Sequence, residues 1–163
     1  MELGNAQHVT RAGYNGVALT LIDSLDTLAV LGNASEFAKG VRWVGSHVSF
    51  DQDIDVHVFE TTIRLLGGLL SAHLLAAGQC RGAEHMAVPQ YADELLTLAV
   101  DLGGRLLGAF DGCNVLPRAF VNLRGRTAKH ARMEQCVAGV GTLLLSNPNP
   151  NPNPNPNPNP NPN

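Results

Sequence analysis

The sequence predicts an all-α fold, and three observations carry that expectation. Apolar residues recur at helical spacing through most of the chain, short polar or glycine-bearing links separate the segments, and no run of strand period rivals them. Of the 163 residues, Asn147 to Asn163 form a strict Asn-Pro alternation, leaving 146 that can fold, enough for one domain with a real core. Residues 1–146 therefore read as the folded part. Residues 147–163 read as a disordered low-complexity tail, because every second residue lacks an N–H and each Asn but the last precedes a proline.

Taken in order, the first helix spans Leu19 to Leu31, with Leu21, Ile22, Leu25, Leu28 and Ala29 on one side. Asp23, Asp26 and Thr27 make an acidic ridge beside them. Gly32 stops this helix, and Asn33 followed by Glu36 three residues later has the pattern of a capping box. The second helix then runs through Phe37, Val41, Val44 and Val48, and so short a link predicts antiparallel packing. After a polar link from Ser49 to Asp55, a third helix is expected over Val56 to Gly78. Phe59, Ile63, Leu66, Leu70 and Leu74 form its apolar stripe, and Glu60, Arg64, Gly67 and Ser71 form a second line. Gly67 and Gly68 each cost about 1 kcal/mol relative to alanine inside a helix, which predicts a close approach to the backbone there. A fourth helix is expected from Pro89 to Ala109, with Leu95, Leu98, Leu102 and Leu106 inward. The loop from Asp111 to Arg132 carries two irregular or briefly extended stretches, Leu116-Pro117-Arg118 and Val121-Asn122-Leu123. A fifth helix begins near Met133 and continues to Leu145.

Composition excludes several classes. Eleven basic residues against 14 acidic ones give a formal charge of −3, and the scattered basic residues do not make a nucleic-acid surface. The opening residues carry no secretory signal pattern. The longest apolar run, Leu65 to Ala77, is short of a membrane span and reads as a core helix. Cys80, Cys113 and Cys136 show no Cys-x-x-Cys pair and leave one thiol over.

Few residues carry a chemical pattern. Asp51, Asp53 and Asp55 open like a calcium loop, but Val56 stands where glycine is needed and Thr62 where a bidentate glutamate is needed. They read as a solvated acidic loop that caps the next helix. The histidines lack the spacing of a zinc site, so no metal ligand is assigned. Glu60 and Arg64, four apart, share a helix face. Such a pair is ordinarily a helix salt bridge, but on an apolar helix beside small residues the carboxyl is a candidate general acid. Asp23 and Asp26 are candidates for the neighbouring charge. Asn33-Ala34-Ser35 fits a glycosylation acceptor and fits a helix cap equally well.

Three stretches together resemble a known family. Leu19-Thr20-Leu21-Ile22-Asp23-Ser24-Leu25-Asp26-Thr27-Leu28, Val58-Phe59-Glu60-Thr61-Thr62-Ile63-Arg64 and Gly67-Gly68-Leu69-Leu70-Ser71-Ala72 look like the signatures of glycoside hydrolase family 47, the class I α-mannosidases, in their order and at about their spacing. The resemblance covers about Gly16 to Leu145. Leu116-Pro117-Arg118, Val121-Asn122-Leu123 and Glu134 to Leu143 are most similar to the endoplasmic-reticulum degradation-enhancing branch, and Gly139 stands where the trimming enzymes usually have a sugar-binding glutamate.

The resemblance implies a partial (α/α) barrel made of its first few helices, and inverting hydrolysis of α-1,2-linked mannose on high-mannose N-glycans of misfolded glycoproteins. Glu60 matches the general acid, Asp23 a supporting carboxylate and Arg64 a substrate-binding partner of the acid. A bound Ca2+ is implied, with its ligand in a part of the family domain that finds no match in this chain, as do the remaining catalytic carboxylates. The implied location is the lumen or membrane of the endoplasmic reticulum, any membrane association coming through segments outside this chain. On this reading the chain is an N-terminal fragment that is inactive by itself and leaves apolar faces uncovered. A lectin-like or scaffold role without turnover is the alternative, and the product of a truncated gene is a third.

Overall fold

The computed structural model describes residues 16–110, 116–127 and 137–143. The architecture is helical, as expected: α1 spans Leu19–Val30, α2 Ala34–His47, α3 Val58–Ala76, α4 Glu94–Leu106 and α5 Val137–Leu143. The expected ends of the fifth helix, the tail, Cys113 and Cys136 lie outside the described residues.

Local chemistry sets the first corner. Gly32 has φ +72°, its N–H donates to Ala29 O, and Asn33 N–H donates to Leu28 O, a Schellman ending that only glycine adopts without strain. Asn33 then caps α2, its side-chain oxygen accepting from Glu36 N–H at 3.2 Å. The return half of the expected capping box is absent, because the Glu36 carboxylate pairs with Lys39 at 2.7 Å instead.

Helix α3 starts two residues later than expected. Asp55–His57 forms a strand, β1, antiparallel to β2, Phe120–Asn122, with Val56 opposite Val121. Helical periodicity alone could not show this pairing, since its partner lies more than 60 residues away. His57 Nδ1 accepts from Glu60 N–H at 3.4 Å, and Val58 N–H donates to Ala119 O at 2.8 Å, so the strand pair fixes the first turn of α3.

Within α3, Thr61–Leu66 is π-helical. Thr62 Oγ1 donates to Val58 O at 2.8 Å, giving that carbonyl a side-chain partner within the disturbed ladder. The helix is apolar almost all round, and the structure buries a different face from the stripe expected. Val58, Thr62, Leu65, Leu69, Ala72 and Ala76 are buried, whereas Ile63, Leu70 and Leu74 are each at least 40% exposed. By length and composition α3 is long and apolar enough to cross a membrane, but its packing against α1 and α4 makes it a core helix.

The glycine expectation holds at one of two positions. A Cβ at Gly68 would lie 3.0 Å from both Ile22 O and Ile22 Cγ2, so α1 rests on the backbone of α3 there. Gly67 has no such neighbour; the nearest atom to a Cβ is Thr62 O of its own helix, at 3.6 Å. Helix α4 starts at Glu94 rather than near Pro89. Gln90 and Asp93 both have φ +61°, which breaks the helical path before it can start. Leu95, Leu102 and Leu106 are buried as expected, with Leu98 packed at the edge of the core.

Candidate active site

Helix α3 supplies Glu60 and Arg64 one turn apart. Arg64 Nε donates to Glu60 Oε2 at 2.7 Å, and Arg64 Nη1 donates to Asp23 Oδ2 on α1 at 3.0 Å. All three candidate residues therefore meet, with one guanidinium bridging two carboxylates. The close approach at Gly68 explains the geometry. It seats Ile22 on α3 one turn beyond Arg64, which carries the next residue, Asp23, to the guanidinium.

Roughly two-fifths of each of these side chains is exposed: 40% for Glu60, 41% for Asp23 and 45% for Arg64. Glu60 is thus partly shielded from solvent at the edge of the buried face of α3. The pKa of Arg64 is raised, first by its hydrogen bond to Glu60 and then by that to Asp23, so its guanidinium stays cationic between them. Exposed pairs of this kind contribute only about 0–1 kcal/mol each to stability. Asp26, the other acidic candidate on α1, is not part of this bridge.

Around the base of α3, the Asp-rich loop is used differently from the expectation. Asp53 and Asp55 each accept from Asn122 Nδ2 at 2.9 Å, and Asn122 Oδ1 accepts from the N–H groups of Arg124 and Gly125. Asp51 meets Arg105 at 3.4 Å and Arg124 at 3.3 Å. The loop is exposed at Asp51 and Asp53, as expected, but it is also tied to β2 and the turn after it, and His57, not an aspartate, caps the helix. Asn122, Arg105 and Arg124 escaped sequence reasoning as positioning residues, since the aspartates of this loop that they hold lie 54 to 73 residues away along the chain.

These residues do not fit a calcium site. Among the described residues no group of three or more His, Cys, Asp or Glu is arranged to hold a metal, and the clustered aspartates already accept from Asn122 and the two arginines. A cavity of about 450 Å³ lies elsewhere among the described residues. It is an apolar groove between α3 and α4 whose lining, which includes Thr62, Leu66, Leu70 and Val100, contains none of Glu60, Arg64 and Asp23.

Comparison with known proteins adds the family context. The family model for glycosyl hydrolase family 47 matches residues 2–147. Alpha-mannosidase I MNS5 of Arabidopsis thaliana is 44% identical over 146 residues, covering 88% of this chain and 25% of that protein. ER degradation-enhancing alpha-mannosidase-like protein 3 of Homo sapiens is 47% identical over 133 residues, covering 78% of this chain and 14% of the relative. The solved structure of an alpha-1,2-mannosidase from Trichoderma reesei superposes with a TM-score of 0.68 at 31% identity, over 80% of this chain and 27% of that one. The chain thus spans a quarter or less of the length of these two curated relatives.

Proposed function

The chain belongs to glycosyl hydrolase family 47, and from that premise we propose that it is the acid-bearing part of an α-1,2-mannosidase catalytic domain acting on N-glycans of misfolded glycoproteins in the endoplasmic reticulum. The observation that carries the proposal is the Asp23–Arg64–Glu60 bridge, formed by residues from two separate matching stretches and drawn together by the packing at Gly68. The helical architecture, part of the (α/α) barrel seen in the T. reesei enzyme, supports the same reading.

In this proposal Glu60 donates a proton to the glycosidic oxygen as mannose leaves. Arg64 aims the Glu60 carboxyl and contacts the sugar, and Asp23 holds Arg64 by its second donor. Inverting hydrolysis also needs a carboxylate on the far side of the sugar to activate water, about 6.5–9.5 Å from the acid. We assign that base, like the calcium ion the family implies, to parts of the family domain beyond the described residues. Residues 1–146 then act as one structural unit and 147–163 as an appended tail, and the 163 residues alone are expected to release no mannose.

A chimera tests the acid. Residues 16–127 replace the matched segment of Alpha-mannosidase I MNS4 of Arabidopsis thaliana, 50% identical over 130 residues. Release of mannose from an α-1,2-linked oligomannose glycan is then measured beside Glu60→Gln. A fall of about 10²–10⁴-fold is expected in the variant. Equal release by both chimeras removes Glu60 from the acid role. Calcium-dependent release by the 163-residue chain itself would overturn its incompleteness.

A further inference from the structure

We infer that Asn122 is a positioning residue for Glu60, setting the place of the acid through β1 without touching it. That Glu60 is the acid rests on the proposed function; that Asn122 places it rests on the strand pair. Asn122 is 1% exposed and stands opposite Asp55 in the β1–β2 register. Its Nδ2 donates to Asp53 Oδ1 and to Asp55 Oδ1, each at 2.9 Å. Its Oδ1 accepts from Arg124 N–H at 3.1 Å and from Gly125 N–H at 2.8 Å.

Ionised carboxylates only accept and backbone N–H groups only donate, so this amide sits one way round and uses both of its donors and its oxygen. Neither an aspartate, which has no donor, nor a serine, which has one, can replace it in full. The backbone of the same residue is engaged as well, its N–H donating to Thr127 O at 3.0 Å and its carbonyl accepting from Arg126 N–H at 2.8 Å. A buried polar network satisfied in this way permits one geometry, because displacing any member leaves a desolvated group without a partner. The clamp therefore fixes Asp55, the first residue of β1, to the turn that follows β2.

That fixation reaches Glu60 because α3 cannot place its own first turn. Val58 follows β1 directly, and only Val58–Glu60 is ordinary α-helix before the π-helical stretch Thr61–Leu66. The regular ladder changes just after Glu60, so the body of the helix does not dictate where that turn sits. It is held from the strand side, by Val58 N–H donating to Ala119 O at 2.8 Å and Glu60 N–H donating to His57 Nδ1 at 3.4 Å. Arg64 lies within the π-helical stretch and Asp23 on α1, so a shift of β1 moves Glu60 against partners held elsewhere. A misplacement of about 1 Å is enough to cost a catalytic group about 10²-fold in rate.

The test uses Asn122→Asp, which keeps the shape and the accepting oxygen but replaces both donors by a third carboxylate facing Asp53 and Asp55. On the full chain, amide hydrogen exchange should speed up by about tenfold or more in peptides spanning 56–62 and stay unchanged at the α1–α2 corner. Unchanged exchange at 56–62 overturns the inference. In the chimera, kcat per folded molecule should fall by about 10–100-fold while KM stays within about threefold. A merely structural role would lower the melting temperature and leave the kcat of the folded protein alone, and that result also overturns it. Should Asn122→Asp not fold, Asn122→Ser, which keeps the acceptor and one donor, is read in the same way with the same outcomes. Faster exchange beside a fully active Glu60→Gln chimera sinks the acid role and leaves the placement standing. Unchanged exchange beside an inactive Glu60→Gln chimera sinks this inference alone.

Discussion

Arg64 is the residue through which the candidate site is organised. Its planar fork offers separate donors to Glu60 and Asp23, and a lysine in its place would present a point charge without that division. Away from the site, Tyr91 shows how a single half-buried hydroxyl ties elements together: its Oη lies 3.0 Å from His73 Nδ1 on α3 and accepts from Leu95 N–H on α4. Desolvation is the main cause of its raised pKa, partly opposed by the Leu95 hydrogen bond. A raised folded value means that the stability linked to this group is complete below its ordinary 10.0 and is lost as pH rises through the folded value. Tyr91→Phe should therefore cost about 1 kcal/mol at neutral pH. Denaturant titrations above pH 10.0 should show that gap shrinking; a gap independent of pH would place the phenol in solvent.

Adjacent glycines on α3 separate two effects at the level of the element. A Cβ at Gly68 would meet the Ile22 backbone oxygen at 3.0 Å, tighter than an ordinary contact and against an atom that shifts only with α1, so Gly68→Ala should destabilise by about 1–3 kcal/mol and open the Asp23–Arg64 contact, leaving Glu60–Arg64 intact within its own helix. Gly67 is exposed with only ordinary contact, so Gly67→Ala should be neutral or stabilise by up to about 1 kcal/mol from helix propensity. Thermal melts of both variants check the pair. Equal effects would mean that α1 does not rest on Gly68. The Glu60–Arg64 spacing was legible in the sequence because four residues make about one helical turn. The strand pair at the foot of α3 was not, because its partner strand is supplied from more than 60 residues away, and the π-helical stretch inside α3 has no signature in the apolar spacing.

At the scale of the whole molecule, the described residues form an apolar groove between α3 and α4. Val100, Leu107, Phe110 and Leu70 expose 69%, 61%, 45% and 40% of their surface along it. Contiguous exposure of this kind binds apolar dyes and promotes association. Val100→Asp should reduce dye fluorescence and concentration-dependent light scattering while changing stability by no more than about 0.5 kcal/mol, since Val100 makes little buried contact. Unchanged dye binding would show that the groove is closed in solution.

Helix existence, the corner at Gly32, the cap at Asn33 and the identity of the Glu60–Arg64 pair all follow from neighbours within about one turn, and sequence carries such information directly. The buried face of α3 does not follow, because a helix apolar on nearly every side offers no periodicity from which to choose a face. Asp23 was matched to the site by family resemblance, but its contact with Arg64, 41 residues away, exists only because α1 settles onto the bare backbone at Gly68. The Asp-rich loop teaches the same lesson: three alternating carboxylates are legible as a solvated loop, but their ties to Asn122 and two arginines exist only once distant parts of the chain fold against them. Local spacing decided which elements form, and packing between elements decided which of their faces meet.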